Sequence, residues 1–147
     1  MASAPAASGY EFSSDPARID RDRVHGWLSD DAYWARGRTR EVQDAAIDAS
    51  HNFGIYDEDG VQVAYGRVVT DGVLFAWLCD VYVAPSVRGR GLGSRLVAGI
   101  VAELDALGIR RTLLATADAQ EVYRPWGFDE LSGDLAWMAR IASTPQG

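Results

Sequence analysis

The chain contains no lysine: its 147 residues carry 14 basic side chains, and every one is an arginine. A Walker-type phosphate loop, which needs a lysine, is thereby excluded. There is one cysteine, Cys79, so no internal disulfide can form, and the composition fits a reducing, cytoplasmic compartment. Only two histidines are present, His25 and His51, and they stand apart, so no metal centre is expected. The run of about 18 apolar residues that a membrane helix needs does not occur, nor does a charged-then-apolar leader. A protein without a membrane span or secretory signal is the expectation. Positive charge is in short supply: the net charge is −7 and the pI about 4.7. That balance argues against nucleic acid and anionic membranes as partners and is compatible with a cationic acceptor.

What is present fits one domain, which at this length buries about two-thirds of its unfolded surface. Residues 1–9 (MASAPAASG) are small and polar and read as a disordered tail, leaving 10–143 as the domain. Tyr10-Glu11-Phe12 suggests a short edge strand. Two helical patterns follow before residue 50, one carrying Val24, Trp27 and Leu28, the other Val42, Ala45, Ala46 and Ala49. The period then changes. Asn52–Asp57 and Val61–Thr70 flank Asp57-Glu58-Asp59-Gly60, a hairpin signal, and Asp71-Gly72 turns into a third strand, Val73–Val83. That last run is almost wholly apolar and reads as a strand buried on both faces.

Beyond it the chain runs RGRGLG, from Arg88 to Gly93, into a helix with apolar positions Leu92, Leu96, Val97, Ile100, Val101, Leu104 and Leu107, stopped at Gly108. A strand feeding a glycine-rich loop and then a helix is a site for anionic oxygens. The first-turn N–H groups of the helix lack partners, and glycines let a ligand approach the backbone. Arg88 and Arg90 would strengthen the preference for anions. The dinucleotide fingerprint GxGxxG does not fit, because the third glycine, Gly93, comes one position early and Ser94 stands where it should be. After Gly108, Arg110–Thr116 reads as a strand parallel to its predecessor through a right-handed crossover. Asp118 then caps a short helix to Arg124, Pro125 and Gly127 end it, and Phe128–Leu131 with Leu135–Ile141 make a last hairpin.

The string Val83-Ala84-Pro85-Ser86-Val87-Arg88-Gly89-Arg90-Gly91-Leu92-Gly93 matches the V-x-P-x-x-R-G-x-G-x-G signature of the GNAT N-acetyltransferase superfamily, and the succession of elements resembles that fold throughout. The resemblance implies an α/β fold with a mixed central sheet, antiparallel strands first, a parallel pair at the cofactor site, and helices on both faces. It also implies acetyl-CoA as cofactor, its pyrophosphate held by Arg88, Gly89, Arg90, Gly91, Leu92, Gly93 and Ser94, with Asp118 and Arg124 beside it. Backbone N–H groups near Tyr82 and Val83 would hold the thioester carbonyl. Tyr123, four residues before Gly127-Phe128, is the counterpart of the tyrosine that faces the CoA sulfur in many members. Pro125 departs from the usual form, and proline disfavours helix in the residue before it, so the tyrosine's aim is altered.

Asp80 stands out on composition alone, since it interrupts an apolar strand. It is read either as a carboxylate of raised pKa that takes a proton from the acceptor, or as the partner of an arginine such as Arg67. Cys79 and Trp77 are expected on the opposite face unless a bulge intervenes. Acceptor-side candidates are Trp27, Tyr33, Trp34, Arg67 and Trp77, with Arg36, Arg38, Arg40, Tyr65 and Trp137 as further ones. The resulting expectation is an acetyltransferase acting on a small-molecule primary amine by direct transfer in a ternary complex. A peptide or protein N-acetyltransferase and a non-catalytic acyl-CoA-binding module are the alternatives. A homodimer is compatible with these features.

Overall fold

The computed structural model describes residues 9–143. Most of the expected tail, residues 1–8, lies outside them. Edge strand β1 (Glu11–Ser13) comes first, then α1 (Arg21–Asp30) and α2 (Arg40–Asp48). Strands β2 (His51–Tyr56), β3 (Gln62–Thr70) and β4 (Phe75–Val83) follow, then α3 (Leu92–Leu107), β5 (Arg111–Leu113) and the single turn α4 (Gln120–Tyr123). The five strands lie in sequence order, antiparallel from β1 to β4, with β5 parallel to β4. This is the mixed sheet expected, with α3 on one face and α1 and α2 on the other.

Local chemistry explains most boundaries. The carboxylate of Asp20 accepts from the Arg23 N–H at 3.1 Å to cap α1, and Thr39 Oγ1 accepts from the Val42 N–H at 3.2 Å to cap α2. Asp57 Oδ1 accepts from the N–H groups of Asp59 and Val61, both at 2.9 Å, which closes the β2–β3 hairpin. Gly108, left-handed at φ 79°, ends α3 as the sequence predicted.

Two cores form, one on each face of the sheet. Ala64, Val68, Ala76 and Leu78 pack under Leu92, Leu96, Val97, Ile100 and Leu104 of α3. Tyr65 and Tyr82 pack with Val24, Leu28 and Ile47 of α1 and α2. At about 25 cal/mol per Å² of apolar surface, this two-sided burial is the main force holding the layers together. Helix α3 lies close to β1: a Cβ added at Gly99 would stand 2.5 Å from Phe12 Cε1, and Phe12 stacks in turn on Phe53 at 5.9 Å.

Four expectations are corrected. Strand β4 starts at Phe75, because Asp71 Oδ1 accepts from the N–H groups of Val73, Leu74 and Phe75 at 2.9, 2.8 and 3.2 Å and holds them in a loop. It is not buried on both faces: its side chains alternate, and Trp77 stays 37 % exposed. In α2 the inward positions are Gln43 and Ile47, while Val42, Ala45 and Ala49 face water. The helix turns that way because the guanidinium of Arg38 donates to Gln43 Oε1 at 3.0 Å. Finally, among the described residues no hairpin forms after Phe128. Arg124 draws Glu130 and Asp129 back over α4, at 2.6 and 3.6 Å, away from the free edge of β5.

Candidate active site

The glycine-rich loop leads into α3 as its sequence requires. Gly89 and Gly91 adopt φ 82° and 76°, the left-handed region that glycine enters without strain. Gly91 is the N-cap, and no side chain caps the helix. The N–H groups of Leu92, Gly93 and Ser94 are therefore left to a ligand, and the helix dipole adds a preference for anions of about 0.3–1 kcal/mol. The two loop arginines turn elsewhere. Arg88 Nε donates to Val83 O at 2.9 Å, its Nη2 reaches Asp31 at 3.6 Å, and its guanidinium lies 5.2 Å from the Tyr82 ring centroid. Arg90 donates to the Tyr10 hydroxyl at 2.7 Å. Both brace the loop against the body of the protein.

Beside this loop the sheet opens. Strands β4 and β5 pair only at Phe75↔Arg111, Ala76↔Thr112 and Trp77↔Leu113, although β4 runs on to Val83. A cavity of about 290 Å³ lies on the other side of β5, between the strand with its continuation to Thr116 and the segment after α4, lined by residues that include Leu114, Thr116, Gln120, Tyr123, Phe128 and Glu130. The Ala84 N–H donates to Val63 O at 2.8 Å. By antiparallel alternation, the Tyr82 N–H is then engaged with β3, while the Val83 N–H points to the opened side. Of the two backbone donors expected, the geometry supplies Val83.

Tyr123 ends α4, buried, with its ring edge-on to Phe128 at 5.9 Å. Pro125 does shorten the helix, which continues as a 3-10 turn, Arg124–Trp126, ended by Gly127 at φ 94°. Among the described residues the Tyr123 hydroxyl makes no hydrogen bond. Burial, with a smaller effect from Tyr33, pushes its pKa up to about 12, so the phenol keeps its proton at any physiological pH.

The acceptor side is built around a bulge. Tyr65 pairs with Tyr82 but Arg67 with Cys79, so β4 holds one residue more than β3 opposite Gly66. Asp80 sits there at φ 55°, the one positive φ outside glycine among the described residues. The extra residue swings its side chain onto the α1/α2 face, the face of Arg67 and Cys79. Both arginines reach the same oxygen: Arg38 Nη1 donates to Asp80 Oδ2 at 2.8 Å and Arg67 Nε at 2.9 Å. Trp34 Nε1 donates to Oδ1 at 2.9 Å. Burial alone would raise this carboxyl's pKa, but the hydrogen bond from Arg38 and the charges of Arg67 and Arg38 outweigh it and leave it below the usual range. A base of raised pKa is therefore not what this geometry makes of Asp80. The ion pair with an arginine is.

The α1–α2 loop roofs the opening. Tyr33 stands edge-on to Trp34 at 5.0 Å, and its hydroxyl accepts from the Ala117 N–H, beyond β5, at 3.2 Å. Trp27 stacks on Tyr82 at 5.4 Å, whose hydroxyl donates to Asp31 at 2.6 Å. The structure thus joins Trp34, Arg38, Arg67 and Asp80 in one cluster on the α1/α2 face, with Tyr33 beside Trp34 and Trp27 on Tyr82, while Tyr123 packs in the core of the α3 face within electrostatic reach of Tyr33. Other candidates lie apart. Trp77 is at the closed end of the β4–β5 pair, opposite Leu113. Asp118 caps nothing, because Thr116 Oγ1 accepts the Ala119 N–H at 3.0 Å and Ala119 is the N-cap of α4. Arg124 lines the cavity but is clamped by Glu121 and Glu130. Arg36 donates to Asp30 O, Arg40 pairs with Asp22 and Asp44, and the Tyr65 hydroxyl donates to Asn52. Arg111 covers Trp137 at 5.8 Å, away from the cleft. Burial pushes the Cys79 thiol up to about 11, against a role as nucleophile.

The model of the Acetyltransferase (GNAT) family matches residues 21–128. The chain belongs to this family. A solved structure from Xanthomonas campestris pv. campestris, assigned to the GNAT acetyltransferases, is 38 % identical and superimposes with a TM-score of 0.83, over 90 % of this chain and 93 % of that one. A Gibberella zeae protein assigned as an acetyltransferase is 29 % identical over 133 residues, 78 % of this chain and 75 % of its own. Serotonin N-acetyltransferase 2 of rice is 39 % identical over 70 residues, 47 % of this chain and 35 % of its own. This GNAT protein is accordingly an acyltransferase that acts by acetyl transfer.

Sequence reasoning missed Gln43, Ser50 and Asp31. Gln43 is fully buried, yet among the described residues its side chain makes one bond, which Oε1 accepts from Arg38, and Nε2 has no partner. Ser50 Oγ accepts from Arg67 Nη1 at 3.0 Å. A glutamine on a helix whose alanines suggested another inward face gives no signal. The arginine that turns it inward, Arg38, lies in a loop.

Proposed function

We propose that this GNAT acyltransferase takes acetyl-CoA and a primary amine, probed first as a small molecule, and joins them directly in a ternary complex. The observation that supports this reading is the opened β4–β5 edge beside the uncapped N-terminus of α3, where a Cβ at Gly93 would stand 3.7 Å from Val83 and 3.8 Å from Val122, the neighbour of Tyr123. The residues present fit the cofactor. Gly89 and Gly91 have left-handed φ and open space where a Cβ would stand, and the free N–H groups of α3 match the charge of a pyrophosphate. When bound, acetyl-CoA supplies the acetyl group as a reactive thioester.

The chain's own residues divide the remaining work. Leu92, Gly93 and Ser94 hold the pyrophosphate through their backbone N–H groups. The Val83 N–H binds the carbonyl oxygen on which negative charge develops, a contribution worth orders of magnitude in rate when the donor is fixed in place. The Tyr123 hydroxyl hydrogen-bonds the departing thiolate. Full proton transfer from a phenol with a pKa of about 12 to a thiolate whose conjugate acid has a pKa of about 8.5 is uphill by roughly 5 kcal/mol. Its role is therefore donation of a hydrogen bond. Asp80, ionised and held by three donors, supplies no base, so the amine attacks in its neutral form after losing its proton to solvent. Tyr33 and Trp34 shield the cleft from water and orient the acceptor.

The test is to mix the purified protein with acetyl-CoA and a panel of amines and peptides and follow free thiol. Thiol release that depends on a small amine supports the reading. Release only with peptides would move the acceptor to that class, and cofactor binding without release on any acceptor would leave a non-catalytic module.

A further inference from the structure

Around Asp80 the charges do not balance. Arg38 and Arg67 share one carboxylate oxygen. The groups acting on Arg67 besides Asp80 are the Cys79 thiol and the Tyr65 hydroxyl, both uncharged at neutral pH because burial raises them. Two guanidiniums and one carboxylate leave a surplus of one positive charge in a half-buried place, where isolated charge is costly.

Hydrogen bonds are in surplus too. Arg38 spends Nη1 on Gln43 and Asp80, and Arg67 spends Nε on Asp80 and Nη1 on Ser50. Among the described residues neither Nη2 donates to anything. Gln43 serves to hold Arg38: a guanidinium can only donate, so the amide oxygen must face it, and the buried NH₂ faces away. The two arginines are reachable. The Arg38 and Arg67 side chains keep 12 % and 15 % of their surface exposed, against 1 % for Asp80. Trp34, bonded to Asp80, belongs to the loop that roofs the cleft through Tyr33 and Ala117.

We propose that Arg38 and Arg67 form a subsite for one carboxylate of the acceptor, so that the preferred acceptors are amines that also carry a carboxylate, such as amino acids. The inference rests on the acetyltransferase reading above and narrows its substrate class. A carboxylate cancels the surplus charge and accepts from planar guanidiniums in parallel. A phosphate monoester, with its second charge, overshoots the balance. Asp80 then has a positioning role: it holds both arginines in place while their remaining N–H groups stay without a protein acceptor.

The experiment compares kcat/KM within matched sets on the full chain: phenylalanine, its methyl ester and phenethylamine; γ-aminobutyrate, its methyl ester and butylamine; and phosphoethanolamine. The free acid should exceed its ester and the bare amine by about ten- to a hundredfold in at least one set, the range expected for hydrogen bonds to a charged group. In Arg67→Gln and in Arg38→Gln that ratio should fall toward one. A ratio within one preparation is independent of how much of the variant is folded. Equal or better turnover of the esters and amines by the wild type, or preference for phosphoethanolamine, overturns the carboxylate subsite and leaves the acetyltransferase reading intact. If no amine is turned over, that reading fails instead, and calorimetric titration of the wild type decides the subsite separately: N-acetylphenylalanine binding at least about tenfold more tightly than its methyl ester supports it, and equal binding overturns it.

Discussion

Trp34 and Asp80 meet at 2.9 Å, indole nitrogen to carboxylate oxygen, across 46 residues of chain. The bond ties the α1–α2 loop to the bulge in β4 and so joins the roof of the cleft to its floor. Replacing Trp34 with Phe keeps an aromatic ring beside Tyr33 but removes the donor. A hydrogen bond to a charged group is worth about 1.5–3 kcal/mol, and Trp34 is partly exposed, so the lower end applies. The thermal midpoint should drop by about 3–6 °C. With the roof loosened, KM for the acceptor should rise more than kcat falls. Calorimetry and steady-state kinetics on the same preparation check both, and an unchanged midpoint would mean the tether carries no weight.

Asp80→Asn removes the only counter-charge that Arg38 and Arg67 share. Stripping one partner from a buried ion pair costs about 3–5 kcal/mol, so this variant should be among the least stable single substitutions in the chain. The pH dependence has a definite sign. The folded carboxyl lies below its ordinary value, so its stabilisation is present in full above the unfolded pKa of about 3.9. It is lost as pH falls through the folded value. Denaturant unfolding of wild type and variant should therefore differ by a constant amount from about pH 5 to 7, begin to narrow only below about pH 4, and converge once the pH has fallen below the folded value. A difference that grew on acidification would contradict the assignment.

These two residues also mark how far the sequence could be read. Asp80 is conspicuous in the sequence as a charge in an apolar strand, which leaves it either a base or the partner of an arginine such as Arg67. What decided between ion pair and base was the bulge, and a bulge is a property of two strands counted against each other. No single-strand periodicity contains it. The loop from Arg88 to Gly93 was legible because its requirements are local: left-handed backbone, an uncapped helix, close approach. Strand order from β2 to β5 was legible for a similar reason, since turn residues and the change of period fix it. Trp77, by contrast, shares a face with the site residues of β4 but sits at the wrong end of the strand. The expected hairpin after Phe128 failed because Arg124, read as a cofactor ligand, is engaged by Glu121 and Glu130.

Gly91→Glu tests the loop. A side chain at φ 76° costs about 1–2 kcal/mol of backbone strain, and the added carboxylate repels an anion at the end of α3. Affinity for CoA, measured by calorimetry, should fall by about a hundredfold or more, since strain and repulsion act together with the loss of close approach. The fold should survive, because nothing lies within 4 Å of the new Cβ. Undiminished binding would place the pyrophosphate elsewhere.

Tyr123→Phe separates leaving-group assistance from packing. The ring contact with Phe128 and the burial are kept, so stability and CoA affinity should hardly change. The hydroxyl is lost, and kcat should fall by about ten- to a hundredfold, the effect of one hydrogen bond to a developing anion. The pH profile gives a second reading. Because burial pushes this phenol to about 12, the wild type should show no loss of kcat from Tyr123 ionisation up to about pH 10, where an ordinary tyrosine would already be half ionised. An alkaline limb near pH 9 that disappears in the Phe variant would show instead that the phenol ionises early in the bound state. Tyr33, the second influence on Tyr123, would then be the next residue to replace.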